Sequence, residues 1–130
     1  MIKVELKCPH CGKILMDGEH KVDNVPSIAL LADYNGKSEM TYLSSYYGSY
    51  TVMSPFDVKK GDIVSLSCPH CKHELSSSRR CDECGAPMSL MHLVSGGGVQ
   101  ICSRRGCTRH VIEFEDLDTQ LKVFYDAYDL

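Results

Sequence analysis

The chain has 130 residues, eight cysteines and no tryptophan, and its formal net charge is −3. This length fits one compact domain or two very small ones. No stretch is apolar for long enough to cross a membrane, and the first residues alternate charged and apolar side chains, unlike a secretory signal. We therefore expect a cytoplasmic protein, in which closely spaced cysteines more often bind metal than form disulfides.

The charge is unevenly distributed along the chain. Residues 1–67 carry a net charge of −1, residues 68–110 carry +3 with all five arginines, and residues 111–130 carry −5. Two zinc ions, each bound by four thiolates, would bring the total to roughly −7. This balance excludes a globally basic nucleic-acid binder and leaves a local arginine patch in the middle segment.

The eight cysteines form four close pairs. Three pairs have the spacing C-x2-C, which makes a tight turn that brings two sulfurs onto one metal ion, and the last pair has C-x4-C. Four pairs with no cysteine left over supply the ligands of two tetrahedral sites. The sequence therefore predicts two structural zinc sites, with these ligands: Cys8, Cys11, Cys68, Cys71, Cys81, Cys84, Cys102 and Cys107.

The first two pairs lie in a quasi-repeat. Val4-Glu5-Leu6-Lys7-Cys8-Pro9-His10-Cys11 matches Val64-Ser65-Leu66-Ser67-Cys68-Pro69-His70-Cys71, and each half predicts a short strand that runs into a metal-binding turn. Residues 98–101 and 110–114 predict strands on either side of the last cysteine pair.

Two groupings of the four pairs are open. The favoured grouping joins the first pair with the second and the third with the fourth, because strands then flank the turns in both units. The alternative joins Cys68 and Cys71 with Cys81 and Cys84, since nine residues separate these pairs, and the outer pairs form the other site.

Residues 12–67 predict a small antiparallel sheet. Asn35-Gly36 is a strong signal for a two-residue hairpin turn between Ser27–Tyr34 and Lys37–Leu43. This turn would place Ala29 opposite Tyr42 and Ile28 opposite Leu43. A further strand is predicted over 49–53, and the turn at 59–62 leads into a strand over 63–67. The tyrosines in this segment are either core residues or a contact patch: Tyr42, Tyr46, Tyr47 and Tyr50.

The C-terminal segment has the pattern of an amphipathic helix. Its apolar residues recur at helical spacing: Leu117, Leu121, Phe124, Tyr125 and Tyr128. The stripe would pack on the chain's own sheet or bind in the groove of a partner. The expected fold class is small and mainly β, with two four-cysteine zinc ribbons, an inserted antiparallel sheet and this helix. The expected domains are an N-terminal ribbon (1–75) containing the insertion (12–67), a C-terminal ribbon (76–115) and the acidic helix (116–130).

Residues 81–115 resemble the C-terminal zinc ribbons of bacterial type IA topoisomerases. The shared features are C-x2-C-G, the Pro87-Met88 pair, a glycine-containing hairpin tip and C-S-x3-C. The resemblance implies binding of single-stranded DNA. Residues 68–88 resemble the short double-knuckle ribbons of bacterial proteins, which supports the alternative grouping of the cysteines.

The remaining polar residues bear on whether the protein binds nucleic acid, uses histidine as a metal ligand or catalyses a reaction. If the arginines share one face, they would contact phosphate or an acidic protein. Otherwise they would only offset the negative charge of the thiolates. The arginines are Arg79, Arg80, Arg104, Arg105 and Arg109. His10 and His70 lie inside the turns and are expected to be outside the ligand set, because the thiolates complete it. No sequence motif of a hydrolase or nucleotide-binding enzyme is present, and four thiolates close a zinc site to substrate.

We therefore expect a non-enzymatic zinc-binding module or small subunit that binds a larger protein. Two alternatives stay open at this point. One is a zinc ribbon that binds single-stranded DNA or RNA through the arginines. The other is an electron carrier with rubredoxin-like iron, because four sulfurs suit iron as well as zinc.

Overall fold

A computed structural model describes residues 2–114 of the chain, except the side chains of His110 and Phe114. This part of the chain folds into strands and turns, which confirms a small, mainly-β protein with antiparallel sheets. The predicted helix at 116–130 lies outside the described residues. The ten strands are β1 (Leu6–Lys7), β2 (Met16–Val22), β3 (Val25–Tyr34), β4 (Lys37–Leu43), β5 (Val52–Met53), β6 (Ser65–Ser67), β7 (Ser76–Arg80), β8 (Pro87–Leu93), β9 (Gly97–Cys102) and β10 (His110–Phe114).

The strands form two five-stranded sheets. Sheet one has the order β1-β8-β9-β10, and β7 also pairs with β8. Sheet two has the order β2-β3-β4-β5, and β6 also pairs with β3. All the pairings are antiparallel. No helix within residues 2–114 is long and apolar enough to span a membrane.

The strand before each CPHC turn joins the sheet that the other half of the chain forms. β1 pairs with β8, with Leu6 opposite Leu93, and β6 pairs with β3, with Leu66 opposite Ala32. The two exchanged strands link the sheets, and they bring the two CPHC turns to one place. The boundary expected between residues 75 and 76 stays a prediction, although strands from both sides of it share sheet one.

The hairpin predicted around Asn35-Gly36 is confirmed. β3 and β4 pair with Ala29 opposite Tyr42 and with Ile28 opposite Leu43. Asn35 and Gly36 have φ angles of 51° and 77°, which a two-residue turn of this type requires. The predicted strands over 49–53 and 63–67 are shorter than expected and are reduced to β5 and β6.

The apolar core contains residues of both sheets and of both halves of the chain. Leu6, Leu30 and Met91 are fully buried. Leu15 and Leu75 are also buried and follow the first and second cysteine turns, so each turn is fixed to the core by an equivalent leucine. Burial of an aliphatic side chain of this size stabilises a fold by about 1.5–3 kcal/mol.

Several backbone hydrogen bonds and strand pairings of residues 2–53 recur at corresponding positions in residues 62–111. The amide of Val4 donates to Ser45 O, and that of Val64 donates to Ser103 O. The same agreement holds for the hairpins, where Ala29 opposite Tyr42 corresponds to Leu90 opposite Gln100. The sequence quasi-repeat is therefore the visible part of a longer structural repeat.

Candidate metal centres

Three of the four cysteine pairs lie in turns with the same backbone hydrogen bonds. In the first turn the amide of Cys8 donates to Lys13 O, and the amide of Gly12 donates back to Cys8 O. The second and third turns repeat this pattern, with Lys72 and Gly85 in the place of Gly12. The φ angles of these three residues are 75°, 65° and 77°. A left-handed residue therefore ends each turn, and it is glycine in two of the three turns.

The first metal centre, called site one, consists of Cys8, Cys11, Cys68 and Cys71. All four sulfurs lie within 4.8 Å of one another. The Sγ atoms of Cys8 and Cys71 are 3.7 Å apart, and those of Cys11 and Cys68 are 3.8 Å apart. The structure therefore has the grouping that the sequence favoured. One turn from each half contributes two sulfurs, because the exchanged strands β1 and β6 end at this point.

Backbone amides stabilise negative charge on the sulfurs of site one. The amides of His10 and Cys11 donate to Cys8 Sγ, and the amide of His70 donates to Cys68 Sγ. Burial raises the pKa of Cys8, but these amides and the neighbouring thiols outweigh it and lower that pKa to about 7. Burial dominates at Cys68 and raises its pKa to about 12. Part of the thiol set thus ionises near neutral pH, as binding of a cation requires.

The second metal centre, called site two, consists of Cys81, Cys84, Cys102 and Cys107. The four sulfurs lie within 4.8 Å of one another, with Cys81 Sγ 3.7 Å from Cys107 Sγ and Cys84 Sγ 3.4 Å from Cys102 Sγ. The backbone amide of Ala86 is the main cause that lowers the pKa of Cys84 to about 6. The positive charge of Arg104 also lowers the pKa of Cys84, and the interaction with Cys84 raises the pKa of Arg104 in turn.

The sulfur geometry fits a tetrahedral metal ion and not a disulfide. A tetrahedron with metal–sulfur bonds of about 2.3 Å has sulfur–sulfur edges of about 3.8 Å. The sulfur–sulfur distances of 3.4–3.8 Å approach that edge length. A disulfide needs about 2.05 Å. All four positions of each tetrahedron would be occupied by protein sulfur, so neither site has a position left for a substrate.

The histidines of the turns lie beside site one and outside its sulfur group. The rings of His10 and His73 stack with their centroids 4.3 Å apart. The four-sulfur group contains neither ring. The expectation that His10 and His70 lie outside the ligand set stays a prediction.

Several predicted basic residues are held by acidic or carbonyl groups. Arg109 makes two hydrogen bonds to Asp82, the shorter of 2.9 Å, and Arg79 donates to Glu113 at 3.1 Å. Arg104 donates to the carbonyl oxygen of Gly61. The two carboxylates offset part of the positive charge that Arg79 and Arg109 present to a ligand.

A cavity of about 320 Å³ lies between the two halves. Its apolar wall comes from matching positions of the repeat, such as Leu6 with Leu66 and Leu43 with Ile101. Tyr46, Tyr47 and Tyr50 from the first half and Arg104 and Arg105 from the second half also line the cavity, and these five residues are called its rim. This cavity carries no local signal in the sequence, because the residues of its walls are far apart in the chain.

The tyrosines divide between the two expected roles. Tyr47 packs against the core, whereas Tyr50 is 52% exposed at the rim of the cavity. Tyr42 lies elsewhere, with its ring stacked on His20 at a centroid distance of 4.2 Å. The run is therefore partly core and partly surface.

A polar cluster that the sequence analysis missed lies beside the tyrosines. The carboxylate of Asp23 accepts hydrogen bonds from Ser44 Oγ at 2.6 Å and from Ser49 Oγ at 2.7 Å. The sequence contains a signal for it, because Ser44-Ser-Tyr-Tyr-Gly-Ser49 matches Cys102-Ser-Arg-Arg-Gly-Cys107 position by position in serine, glycine and spacing.

Neither a protein-family model, nor a curated protein, nor a solved structure matches the chain. The two four-cysteine groups support metal binding of the zinc-ribbon kind on geometric grounds. The finer resemblance to topoisomerase ribbons stays a prediction from the residues alone.

Proposed function

We propose that the protein is a non-enzymatic module that binds two zinc ions and presents the cavity rim to a larger protein. The observation that carries the metal part is the pair of four-sulfur groups with near-tetrahedral edges. Zinc is the proposed ion because it accepts four thiolates in a tetrahedron with no demand for redox chemistry. Bound zinc would supply a fixed tetrahedral cross-link, and the eight cysteines would hold it.

The proposed role of site one is to join the two halves of the chain. Its ligands come from two turns, one in each half of the chain. The two ligands from different turns that are closest in sequence, Cys11 and Cys68, are 57 residues apart. Structural zinc in small domains contributes about 10–16 kcal/mol to folding. A small chain with one modest apolar core would depend strongly on such a contribution.

A protein partner is proposed for the cavity because of its composition. An apolar depression edged by tyrosine and arginine has the residues that dominate binding energy at protein interfaces. A reducing cytoplasm is the proposed location, since eight thiols in close groups would otherwise oxidise.

The nucleic-acid alternative receives less support, and the iron alternative is decided by experiment. Nucleic-acid binding would use the arginines, but Arg79 and Arg109 are paired with carboxylates. The four-sulfur groups fit iron as well as zinc, and metal analysis with a visible spectrum separates the two.

The partner hypothesis is tested by cross-linking and affinity purification from cells that express the full chain. We compare the wild type with Tyr50→Ser at the rim and with Val94→Ser as the control. Val94 is 41% exposed and does not line the cavity. A stoichiometric partner that is lost with Tyr50→Ser and kept with Val94→Ser supports the proposal. A partner that binds both variants equally, or no partner in repeated experiments, contradicts it.

A further inference from the structure

The two halves of the chain correspond in detail around the loops that edge the cavity. These loops are named the tyrosine loop (residues 44–51) and the arginine loop (residues 102–109). The amide of Ser44 donates to Thr51 O, and the amide of Cys102 donates to Arg109 O. The amide of Ser49 donates to Tyr46 O, and the amide of Cys107 donates to Arg104 O.

Glycine and side-chain contacts extend this correspondence. Gly48 and Gly106 both have a φ angle of 93°. The amide of Tyr46 donates to Ser44 Oγ at 3.2 Å, and the amide of Arg104 donates to Cys102 Sγ at 3.5 Å. Ser44 therefore makes the contact that a metal-binding cysteine makes in the other half.

The Asp23 cluster lies where the other half has its metal centre. Ser44 and Ser49 occupy the positions of Cys102 and Cys107 in the repeat. Val25-Pro26 corresponds to Ala86-Pro87, so Asp23 lies in the turn that matches the turn of Cys84. The first-half turn is shorter, and its two residues have left-handed φ angles of 55° and 65°. The carboxylate of this short turn reaches both serines.

We infer that residues 2–53 and 62–111 are two copies of one structural unit, and that the first copy uses the Asp23–Ser44–Ser49 hydrogen bonds in place of a metal ion. The tyrosine loop then keeps its conformation without metal at site two, whereas the arginine loop depends on that metal. Metal occupancy of site two therefore controls one side of the cavity rim and not the other.

This inference rests on the proposed binding of metal at site two, because the arginine loop carries two of that site's ligands. A metal ion would tie Cys102 and Cys107 to the turn of Cys81 and Cys84. In the first copy, the hydroxyl groups of Ser44 and Ser49 donate to the carboxylate of Asp23. These hydrogen bonds tie the tyrosine loop to the turn that contains Asp23. Such hydrogen bonds need no ligand from solution, so loss of metal from site two alone leaves them intact.

The test measures amide hydrogen exchange in the full chain, with the metal content determined on the same samples. Replacing Cys84 and Cys107 by serine removes site two and leaves site one. We expect exchange in the arginine loop to rise at least tenfold and exchange in the tyrosine loop to change by less than twofold. Asp23→Ala is expected to give the opposite pattern, with the metal content unchanged at two ions.

The control is Asp33→Ala. Asp33 also accepts a hydrogen bond from a serine, Ser38, but it lies in the β3–β4 hairpin. This variant should leave both loops protected. If both loops open together on loss of site two, or if Asp23→Ala leaves the tyrosine loop protected, the inference is wrong. A wild type without metal contradicts the proposed function itself, and the metal analysis reveals this outcome separately.

Discussion

Loss of site one is expected to destabilise the protein more than loss of site two. The closest cross-linked cysteines are 57 residues apart in site one and 18 residues apart in site two. The entropy of closing a loop grows with the logarithm of its length, so site one has an advantage of about 1 kcal/mol from this effect alone. Site one also holds the two exchanged strands together, which adds to that difference.

The comparison uses two matched double variants. One carries Cys11→Ser and Cys71→Ser, and the other carries Cys84→Ser and Cys107→Ser. Each variant leaves two thiols at its site, and none of the four cysteines is fully buried, so loss of core packing is small. Unfolding in guanidinium chloride at a fixed zinc concentration, followed by circular dichroism, gives the two free energies. A site-two variant that is as unstable as the site-one variant, or less stable, would refute the loop-closure reasoning.

Three further predictions concern single positions. Lys72 and Gly12 both have left-handed φ angles, which glycine adopts more easily than other residues. Lys72→Gly should therefore raise the free energy of unfolding by about 0.5–1 kcal/mol, and Gly12→Ala should lower it by about 1 kcal/mol. Chemical denaturation measures both changes. Leu30→Ala should cost about 2–5 kcal/mol, measured in the same way, since Leu30 is fully buried.

Local signals in the sequence predicted the parts of the fold that depend on neighbouring residues. Asn35-Gly36 specified the register of its hairpin because a two-residue turn fixes which residues face each other. The cysteine spacing specified the first three turns, since only two residues separate the two cysteines of each of these pairs. The repeated strand–turn pattern also favoured the grouping of cysteines that the structure shows.

Features that depend on distant contacts were not predictable in this way. The exchange of β1 and β6 between sheets follows from packing of Leu6 and Leu66 in a shared core, and short strands carry no signal for their partner. The cavity is equally non-local. The Asp23 cluster carries no cysteine signal, because serine occupies in the first half the positions that cysteine occupies in the second.

The most direct test of the central claim is the metal stoichiometry of the full chain, purified without oxygen and measured by native mass spectrometry together with a visible spectrum. The account predicts two zinc ions per chain, a colourless sample, and loss of both ions with unfolding when a strong chelator is added. A single ion per chain, an iron–thiolate absorption band, or a fold that survives complete removal of metal would contradict it.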